Sequence, residues 1–254
     1  MSEAPDISII TFTLGGRPKY LINCLDSVYD DINNQLIEGE IKIEHHLVFQ
    51  GETSVSEIEP YLHYFKETKS YKLIVHRWPE NIGIGAGLNK ILPECMGKLI
   101  FKMDDDCKIM SSDFFEKALA LHNRFPTECF SAYPVGLTGN PGGPRGFKHS
   151  VWNNKQNNKI YTRRHTHHLG GFARFSPAYI IKNFHFPNDL IYGISGTEDG
   201  NFSNYCNINN IEMFYLENEL IVEHSEATPG QVVRYPEYFK GRGYEGSLNI
   251  EIIE

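Results

Sequence analysis

The sequence has no apolar run that approaches the roughly 18 residues needed to cross a membrane. Its first ten residues, MSEAPDISII, lack the basic start and the long apolar stretch of a secretory signal peptide. Its five cysteines are odd in number and scattered, and no two of them form a CxxC pair. Because reduced, dispersed thiols are typical inside cells, these absences predict a cytoplasmic protein without a membrane span, disulfides or a zinc site.

Acidic residues are absent from Cys129 to Asn188, a segment with eight lysines and arginines. Because the whole chain has a net charge of −8, the remaining residues carry −16, which bears on binding partners rather than on the fold. Aromatic residues are interleaved with the cations over residues 145–174, which suits phosphate contacts and base stacking, although a solvated loop is the alternative. Residues 139–158, rich in Gly, Pro and Asn, are expected to form a long loop.

Strand and helix signals alternate in the first half of the chain. Four short apolar runs predict strands at residues 6–13, 41–50, 71–75 and 98–103. Pro18 begins a helical pattern that reaches about Asp30, and a shorter helix is expected over residues 87–94. Asp113 and Glu116 form the pattern of a capping box before another helix. This alternation predicts an α/β fold with a Rossmann-like, mostly parallel central sheet flanked by helices.

Three consecutive carboxylates, Asp104, Asp105 and Asp106, follow the apolar run Leu99-Ile100-Phe101. The carboxyl end of a parallel strand faces the crevice in which α/β sheets bind ligands. Three carboxylates so close together ionise readily only when a cation compensates their charge. Mg²⁺ or Mn²⁺ with bound phosphates would do so, since hard cations choose oxygen ligands. A solvated acidic turn is the alternative interpretation.

Three segments occur in an order that resembles the family 2 glycosyltransferases and their GT-A relatives. SIITFTLGGRPKYLINCL resembles a first strand that ends in a T/N-R-P-x-x-L turn, PENIGIGAGLNKIL resembles N-x-G-x-x-x-A-x-N, and KLIFKMDDDCKI resembles a strand that enters D-x-D. The matching residues are Arg17, Pro18, Leu21, Asn81, Gly83, Asn89, Asp104 and Asp106, with Gly87 where Ala is usual. The resemblance implies a single GT-A domain over residues 1–254 that uses a nucleotide-sugar donor.

The second half extends this resemblance through three further segments. GGFARFSP, at Gly170–Pro177, resembles the family's G-G-x-x-x-x-R segment on the acceptor side. Glu198 and Asp199 resemble its [GT]-E-D motif, in which the Asp is the catalytic base of inverting members. His224 follows a short strand over residues 220–222, where several GT-A enzymes place a metal ligand. The resemblance implies that Asp104, Asp106 and His224 hold Mn²⁺ or Mg²⁺ and that Asp199 is the base.

Two departures from the family pattern concern the donor site. Gln50 stands where the family usually has an Asp that contacts the nucleotide base, and its amide offers both a donor and an acceptor edge. The QVVRY segment from Gln231 to Tyr235 resembles the Q-x-x-R-W motif of processive synthases, whose membrane helices this chain lacks. Arg234 could add positive charge beside the leaving diphosphate, while an ordinary amphipathic turn is the alternative.

The resemblance divides the chain into a donor half, residues 1–110, and an acceptor half, residues 111–254, which contains the basic loop 139–168. We expect a UDP-sugar as donor, bound by Thr11, Thr13, Arg17, Gln50, Asn81, Gly83, Asn89, Asp104, Asp105 and Arg234. We expect the acceptor to contact Trp152, Lys155, Arg163, Arg164, Gly171 and Glu198. The basic segment favours an anionic acceptor, for which DNA with a hydroxylated base, a phosphorylated lipid and a polyanionic glycan are candidates.

Two other functions stay open at the level of the sequence. A nucleotidyltransferase also uses a Rossmann-like sheet with acidic metal ligands, and Leu14-Gly15-Gly16-Arg17 faintly resembles its phosphate loop. That function leaves the Glu198-Asp199 pair and His224 unexplained. A non-enzymatic nucleic-acid-binding module would use only residues 145–174 and would leave the aspartate triplet unexplained.

Overall fold

The strands of the computed structural model follow the apolar runs of the sequence, and the structure describes residues 4–33, 41–51, 58–65, 68–135, 149–154, 159–187 and 198–224. The strands are β1 (Ile7–Thr13), β2 (Ile43–Gln50), β3 (Tyr71–Trp78), β4 (Leu99–Met103), β5 (Cys107–Ile109), β6 (Cys129–Val135), β7 (His149–Asn154), β8 (Lys159–His165), β9 (Ala173–Pro177) and β10 (Met213–His224). The helices are α1 (Pro18–Asn33), α2 (Glu59–Leu62), α3 (Ile84–Ile91), α4 (Phe114–Arg124), α5 (Ala178–Asn183) and α6 (Glu198–Ile208). A 3₁₀ turn, Leu92–Glu94, follows α3.

The described strands form one sheet in the order β3-β2-β1-β4-β9-β6-β10-β8-β7, and β5 pairs with the end of β10. The first four strands of this order are parallel, as the strand–helix alternation predicted. Strand β9 runs antiparallel to both β4 and β6, whereas β10 is parallel to β6. The order therefore brings the end of β4, the start of β9 and the end of β10 to one edge, where ligands bind in open α/β sheets.

The core lies on both faces of this sheet. Every residue of β1, β2 and β4 is buried, which explains why these strands lack a regular alternation of apolar and polar residues. Helix α1 turns Leu21, Leu25 and Val28 inward. In the second half, Phe175 stacks between Phe101 and Phe130 with ring centroids 4.1 and 4.9 Å away. Within the described residues, no helix is long and apolar enough to cross a membrane.

The long loop expected over residues 139–158 is wrong for residues 149–154. These residues form strand β7, which pairs antiparallel with β8 from His149 opposite Arg164 to Asn154 opposite Lys159. Polar side chains such as Asn153 and Asn154 conceal the strand, because β7 is an edge strand and pairs on one side only. The rest of the expected loop lies outside the described residues.

The N-terminus of α4 is capped by a residue that the sequence pattern did not indicate. Asp113 has a left-handed backbone, with φ of 52°, and makes no side-chain hydrogen bond to the helix. The carboxylate of Asp31 accepts hydrogen bonds from the backbone N–H groups of Phe114 and Phe115, at 3.0 and 3.2 Å. The expected capping box of Asp113 with Glu116 is therefore wrong, because a carboxylate from α1 satisfies these donors across 83 residues of sequence.

This cap predicts an unequal loss of stability at two aspartates. Asp31→Ala should lower the free energy of unfolding by about 1–2 kcal/mol, since a lost helix cap leaves two backbone donors without an acceptor. Asp113→Asn should change it by less than about 0.5 kcal/mol, because asparagine tolerates left-handed backbone. Urea unfolding of both variants measures the difference. An equal loss in the two variants would contradict the role of Asp31.

Candidate active site

The aspartate triplet is held by residues at the end of β1. The buried guanidinium of Arg17 donates hydrogen bonds to Asp105 Oδ1 at 2.7 Å and to Asp106 Oδ2 at 2.6 Å. The hydroxyl of Thr13 donates to Asp105 Oδ2 at 2.7 Å. Both oxygens of Asp105 therefore have partners inside the protein. These contacts direct the three side chains at one another, and the contact of Thr13, Arg17 and Asp105 with the donor stays a prediction.

Asp104 and Asp106 share one arrangement, in which one oxygen is bound by a cation of the protein and the other faces His224. Lys102, on β4, donates a short hydrogen bond to Asp104 Oδ1. Asp104 Oδ2 lies 4.0 Å from His224 Nε2, and Asp106 Oδ1 lies 3.9 Å from the same nitrogen. Two carboxylate oxygens thus face the same imidazole nitrogen, and the ligand atoms of Asp106, Cys107 and His224 all lie within 4.8 Å of one another.

The spacing of these ligand atoms fits a divalent cation. Ligand atoms about 2.1 Å from a common ion lie ~3–4 Å from one another, which agrees with the two gaps around His224 Nε2. Cys107 is close enough to be a further ligand, but burial raises the pKa of its thiol well above the usual range, so the thiolate is disfavoured. The edge of the Phe172 ring packs against the His224 ring, with centroids 5.6 Å apart, and fixes its orientation.

The pKa values of the two candidate carboxylate ligands shift in opposite directions, although burial opposes ionisation of both. Burial is the largest single effect on Asp104 and opposes its ionisation, but the nearby positive charges together, the Lys102 ammonium first among them, lower the pKa of this carboxyl. Burial raises the pKa of Asp106 despite the attraction of Arg17. A cation that binds between the two carboxylates would favour the ionised form of both, so the protein alone leaves the charge of the site incompletely compensated.

A second pair of carboxylates, Glu198 and Asp199, begins α6. Asp199 Oδ2 accepts a hydrogen bond from the backbone N–H of Gly171 at 2.6 Å. Asp199 Oδ1 lies 3.6 Å from Arg174 Nη1 and has no hydrogen-bond partner in the described part of the chain. Burial and the neighbouring Asp199 raise the pKa of Glu198. Of the two carboxylates, Asp199 thus has a buried oxygen without a hydrogen bond in the described residues, and its side chain as a whole is partly exposed.

The sequence matches the family described as glycosyl transferase family 2 over residues 8–182, which is more than half of the chain and includes the aspartate triplet. The chain belongs to glycosyl transferase family 2. No curated protein matches the sequence at a significant level.

Solved structures agree with the membership of this family. TarS from S. aureus, residues 1–349 in complex with UDP-GlcNAc, superposes with a TM-score of 0.61 at 16% identity, over 88% of this chain and 60% of that one. PcManGT from Pyrobaculum calidifontis, a mannosyltransferase in complex with GDP-Man and Mn²⁺, superposes with a TM-score of 0.64 at 13% identity, over 100% and 67%. GalNAc-T7 with UDP, GalNAc and Mn²⁺ superposes with a TM-score of 0.63 at 12% identity, over 96% and 50%. The expected GT-A fold is confirmed, and this chain spans about half to two thirds of these relatives.

The other residues expected at the donor site of this family 2 chain serve mainly to shape it. Gln50 is buried and accepts a hydrogen bond from Ile82 N at 2.9 Å, so its amide supports the N-x-G turn. Asn81 Oδ1 accepts from Gly83 N at 3.0 Å within the same turn and remains exposed. The side chain of Asn89 forms two hydrogen bonds with the backbone of Phe186.

Two further residues were expected to contact the donor, namely Thr11 and Arg234. Thr11 is fully buried and its hydroxyl pairs with His45 Nε2 at 3.0 Å, so the expected contact of Thr11 with the donor is wrong. The segment from Gln231 to Tyr235, including Arg234, lies outside the described residues.

The residues expected to bind a polyanionic acceptor are largely built into the fold. Arg163 is buried, pairs with Glu128 and lies over the Phe214 ring at 4.3 Å. Arg164 pairs with Glu217 at 3.0 Å and is also buried. The expectation that these two arginines line the acceptor entrance is therefore corrected, because carboxylates of the protein already neutralise them.

Trp152 and Lys155 are the other two residues that were expected to bind a polyanionic acceptor. Trp152 stacks on Tyr161, with ring centroids 4.8 Å apart, and meets the edge of Phe125, so it covers part of the core. Lys155 lies outside the described residues.

Two cations at the site were missed by sequence reasoning. Lys102 is buried on β4, and its register partner on β9 is Arg174. Although burial alone would lower the pKa of Lys102, the surrounding carboxylates, Asp104 foremost, raise it. A signal was present, since Lys102 interrupts the apolar run LIFKM directly before three aspartates.

Proposed function

We propose that this chain transfers a sugar from a nucleoside diphosphate sugar to an acceptor hydroxyl, with the help of a divalent cation and with inversion at the anomeric carbon. The observation that carries the proposal is the convergence of Asp104 Oδ2 and Asp106 Oδ1 on His224 Nε2. Lys102 and Arg17 hold the other oxygen of each carboxylate, so the two carboxylate ligand atoms are oriented before any cation binds. Such preorganisation is what metal sites in enzymes require.

Asp104, Asp106 and His224 would hold Mn²⁺ or Mg²⁺, which supplies positive charge to a leaving diphosphate when bound. The similar structures support this donor class, because TarS binds UDP-GlcNAc, PcManGT binds GDP-Man with Mn²⁺, and GalNAc-T7 holds UDP with Mn²⁺. We take a UDP-sugar as the first donor to test. The N-x-G turn, with Asn81 exposed at the edge of the site, would border the nucleotide, and Arg234 would add positive charge from the C-terminal segment.

Asp199 would take the proton of the acceptor hydroxyl as the hydroxyl oxygen attacks the anomeric carbon from the face opposite to the diphosphate. Its Oδ2 is held by Gly171 N–H, and its Oδ1 lacks a hydrogen bond within the described residues, which suits an oxygen that receives a proton. Attack from the opposite face yields inversion. Glu198 is buried behind Asp199 and supports it rather than meeting the acceptor.

The binding of an anionic acceptor, including DNA with a hydroxylated base, stays a prediction, but fewer cations support it. Of the eight cations between Cys129 and Asn188, four have side-chain partners inside the fold: Arg163, Arg164, Arg174 and Lys182. The prediction now depends on Arg145, Lys148, Lys155 and Lys159, of whose side chains the structure describes nothing.

The close contact between Gly171 and Asp199 predicts that adding one methyl group at Gly171 impairs the enzyme. A Cβ atom at Gly171 would lie 2.0 Å from Asp199 Oδ1 and 2.8 Å from Asp199 Cγ. Gly171→Ala should therefore displace the carboxylate and slow sugar transfer by about tenfold or more, because displacements of an ångström at a reacting group are that damaging. Transfer rate and melting temperature should be measured together.

Gly200→Ala is the matched control, because a Cβ atom there would meet nothing within 4 Å. This variant should keep the transfer rate and gain up to ~1 kcal/mol of stability, since Gly200 lies within α6. Equal transfer rates in the two variants would show that the close approach at Gly171 has no catalytic consequence.

The proposed function is tested by products and by binding. With Mn²⁺, UDP-GlcNAc or GDP-mannose should raise the melting temperature, because a ligand of the folded state alone stabilises it. Slow hydrolysis of the same donor should release a nucleoside diphosphate. Release of pyrophosphate from nucleoside triphosphates with sugar phosphates would instead identify a nucleotidyltransferase, and failure of every nucleotide sugar to bind would overturn the proposal.

A further inference from the structure

Arg174 occupies an unfavourable position in the middle of the sheet. Its side chain is fully buried on β9, opposite Lys102 of β4 and Ser131 of β6. Nε, Nη1 and Nη2 all lack hydrogen-bond partners in the part of the chain that the structure describes. A guanidinium carries five N–H donors, and a buried donor without an acceptor reduces stability. The position therefore calls for an explanation other than the stability of Arg174 itself.

Two contacts of the Arg174 guanidinium, an ion pair and a cation–π contact, are with α6. Its Nη1 lies 3.6 Å from Asp199 Oδ1, and its Cζ lies 4.4 Å from the centroid of the Phe202 ring. Asp199 and Phe202 are three residues apart, so they lie on the same face of α6. The guanidinium therefore sits flat on Phe202 with one edge toward the carboxylate of Asp199.

The distance from Arg174 to Asp199 has a chemical consequence. At 3.6 Å the contact is an ion pair without a hydrogen bond, so the charge of Arg174 attracts Oδ1 but does not occupy its lone pairs. The N–H of Gly171 binds Oδ2 at 2.6 Å. Gly171 therefore holds Oδ2 of the Asp199 carboxylate through a hydrogen bond, and Arg174 attracts Oδ1 through its charge.

We propose that Arg174 is a positioning residue for Asp199, which attracts Oδ1 and thereby fixes the orientation of the carboxylate that receives the proton of the acceptor. The inference rests on the proposed function, in which Asp199 is the base. The neighbouring strands β4 and β9 then each provide one orienting cation. Lys102 of β4 orients Asp104 of the cation site, and Arg174 of β9 orients Asp199. Loss of Arg174 should impair transfer and leave the binding of cation and nucleotide intact.

The test uses Arg174→Met and Arg174→Lys in the full chain, with Arg163→Met as the matched control. Arg163 is also a buried arginine that lies over a phenylalanine ring and pairs with a carboxylate, but its partner, Glu128, precedes β6. The probes are UDP-GlcNAc and GDP-mannose with Mn²⁺, of which the one that wild type hydrolyses is used. Calorimetric titration with Mn²⁺ and the matching nucleoside diphosphate gives a readout that does not depend on catalysis.

Arg174→Met should lower kcat for donor hydrolysis by about tenfold or more, with KM and the dissociation constant for Mn²⁺–nucleotide within about twofold of wild type. Its melting temperature should change little, because methionine removes buried donors that lack partners, while Asp199 keeps the hydrogen bond from Gly171 N–H. Arg174→Lys should retain more activity than Arg174→Met. Arg163→Met should melt at a lower temperature and retain kcat.

Two results of the solution measurements would overturn the inference alone. One is a wild-type kcat in Arg174→Met while Asp199→Asn is inactive. The other is a loss of both melting temperature and nucleotide affinity in Arg174→Met, which would make Arg174 merely structural. Wild-type hydrolysis by Asp199→Asn would instead overturn the proposed base. A crystal structure of Arg174→Met with an unmoved Asp199 carboxylate would also overturn the inference, whatever the activity.

Discussion

Asp106→Ala is expected to abolish the Mn²⁺-dependent binding of nucleotide while the protein stays folded. The variant removes Asp106 Oδ1, which faces His224 Nε2 at 3.9 Å, and leaves only two of the three converging ligand atoms. Cation affinity falls steeply when a ligand is lost, since the remaining positions must be filled by water. Thermal shifts with UDP and GDP, each with Mn²⁺ or with EDTA, measure the effect.

The stability of this variant can be anticipated from the charge of the site. Burial raises the pKa of Asp106, so at neutral pH its ionised form destabilises the folded state relative to the unfolded one. Lowering the pH toward the raised pKa relieves this effect, and removing the carboxyl group relieves it at every pH. Arg17 keeps its hydrogen bond to Asp105 in the variant. The melting temperature without metal should therefore stay close to that of wild type, and an Asp106→Ala protein that still shows the full Mn²⁺-dependent shift would exclude Asp106 from the site.

Asp199→Asn is expected to bind the donor normally and to transfer sugar at least ~10²-fold more slowly. The amide is nearly isosteric with the carboxylate, and its oxygen can still accept the hydrogen bond from Gly171 N–H. It cannot accept a proton from the acceptor, and it no longer carries a charge for Arg174 to attract. Single-turnover transfer and calorimetric titration with UDP and Mn²⁺ separate the two steps.

Glu198→Gln provides the comparison for this experiment. Glu198 is adjacent in sequence but buried, so its amide variant should affect transfer less than Asp199→Asn does. A transfer rate near that of wild type in Asp199→Asn, together with a large loss in Glu198→Gln, would assign the base to Glu198 instead. Reduced donor binding in Asp199→Asn would show that the pair serves the donor site.

The strands around the site could be predicted because the sheet has a simple physical signature. Strands that are buried on both faces are rich in apolar and β-branched residues, which made β1, β2 and β4 recognisable in the sequence although polar residues interrupt them. Strand β7 was not predicted from the sequence, because it is the last strand of the described sheet and carries polar residues. Position along such strands also placed Asp104 and Asp106 at the binding edge before any coordinates were known.

The roles of individual side chains were decided by partners that are distant in sequence. Arg17 is expected at the donor from its motif, yet it binds Asp105 and Asp106 across 88 and 89 residues. Arg163 carries positive charge in a segment without acidic residues, yet Glu128 lies just outside that segment and neutralises it. Local patterns carry no information about such pairs, because they depend on which strands are neighbours in the sheet.

The sequence by itself determined the fold class, the family and the approximate place of the site, since these depend on apolar periodicity and on short motifs. Only the tertiary structure decided which oxygen of Asp104, Asp106 and Asp199 is open to a ligand. That choice depends on distances of a few ångströms between β4, β9, β10 and α6, which come together from residues 99–224. Hydrogen bonds from Lys102, Arg17 and Gly171 occupy one oxygen of each carboxylate and so distinguish it from the other.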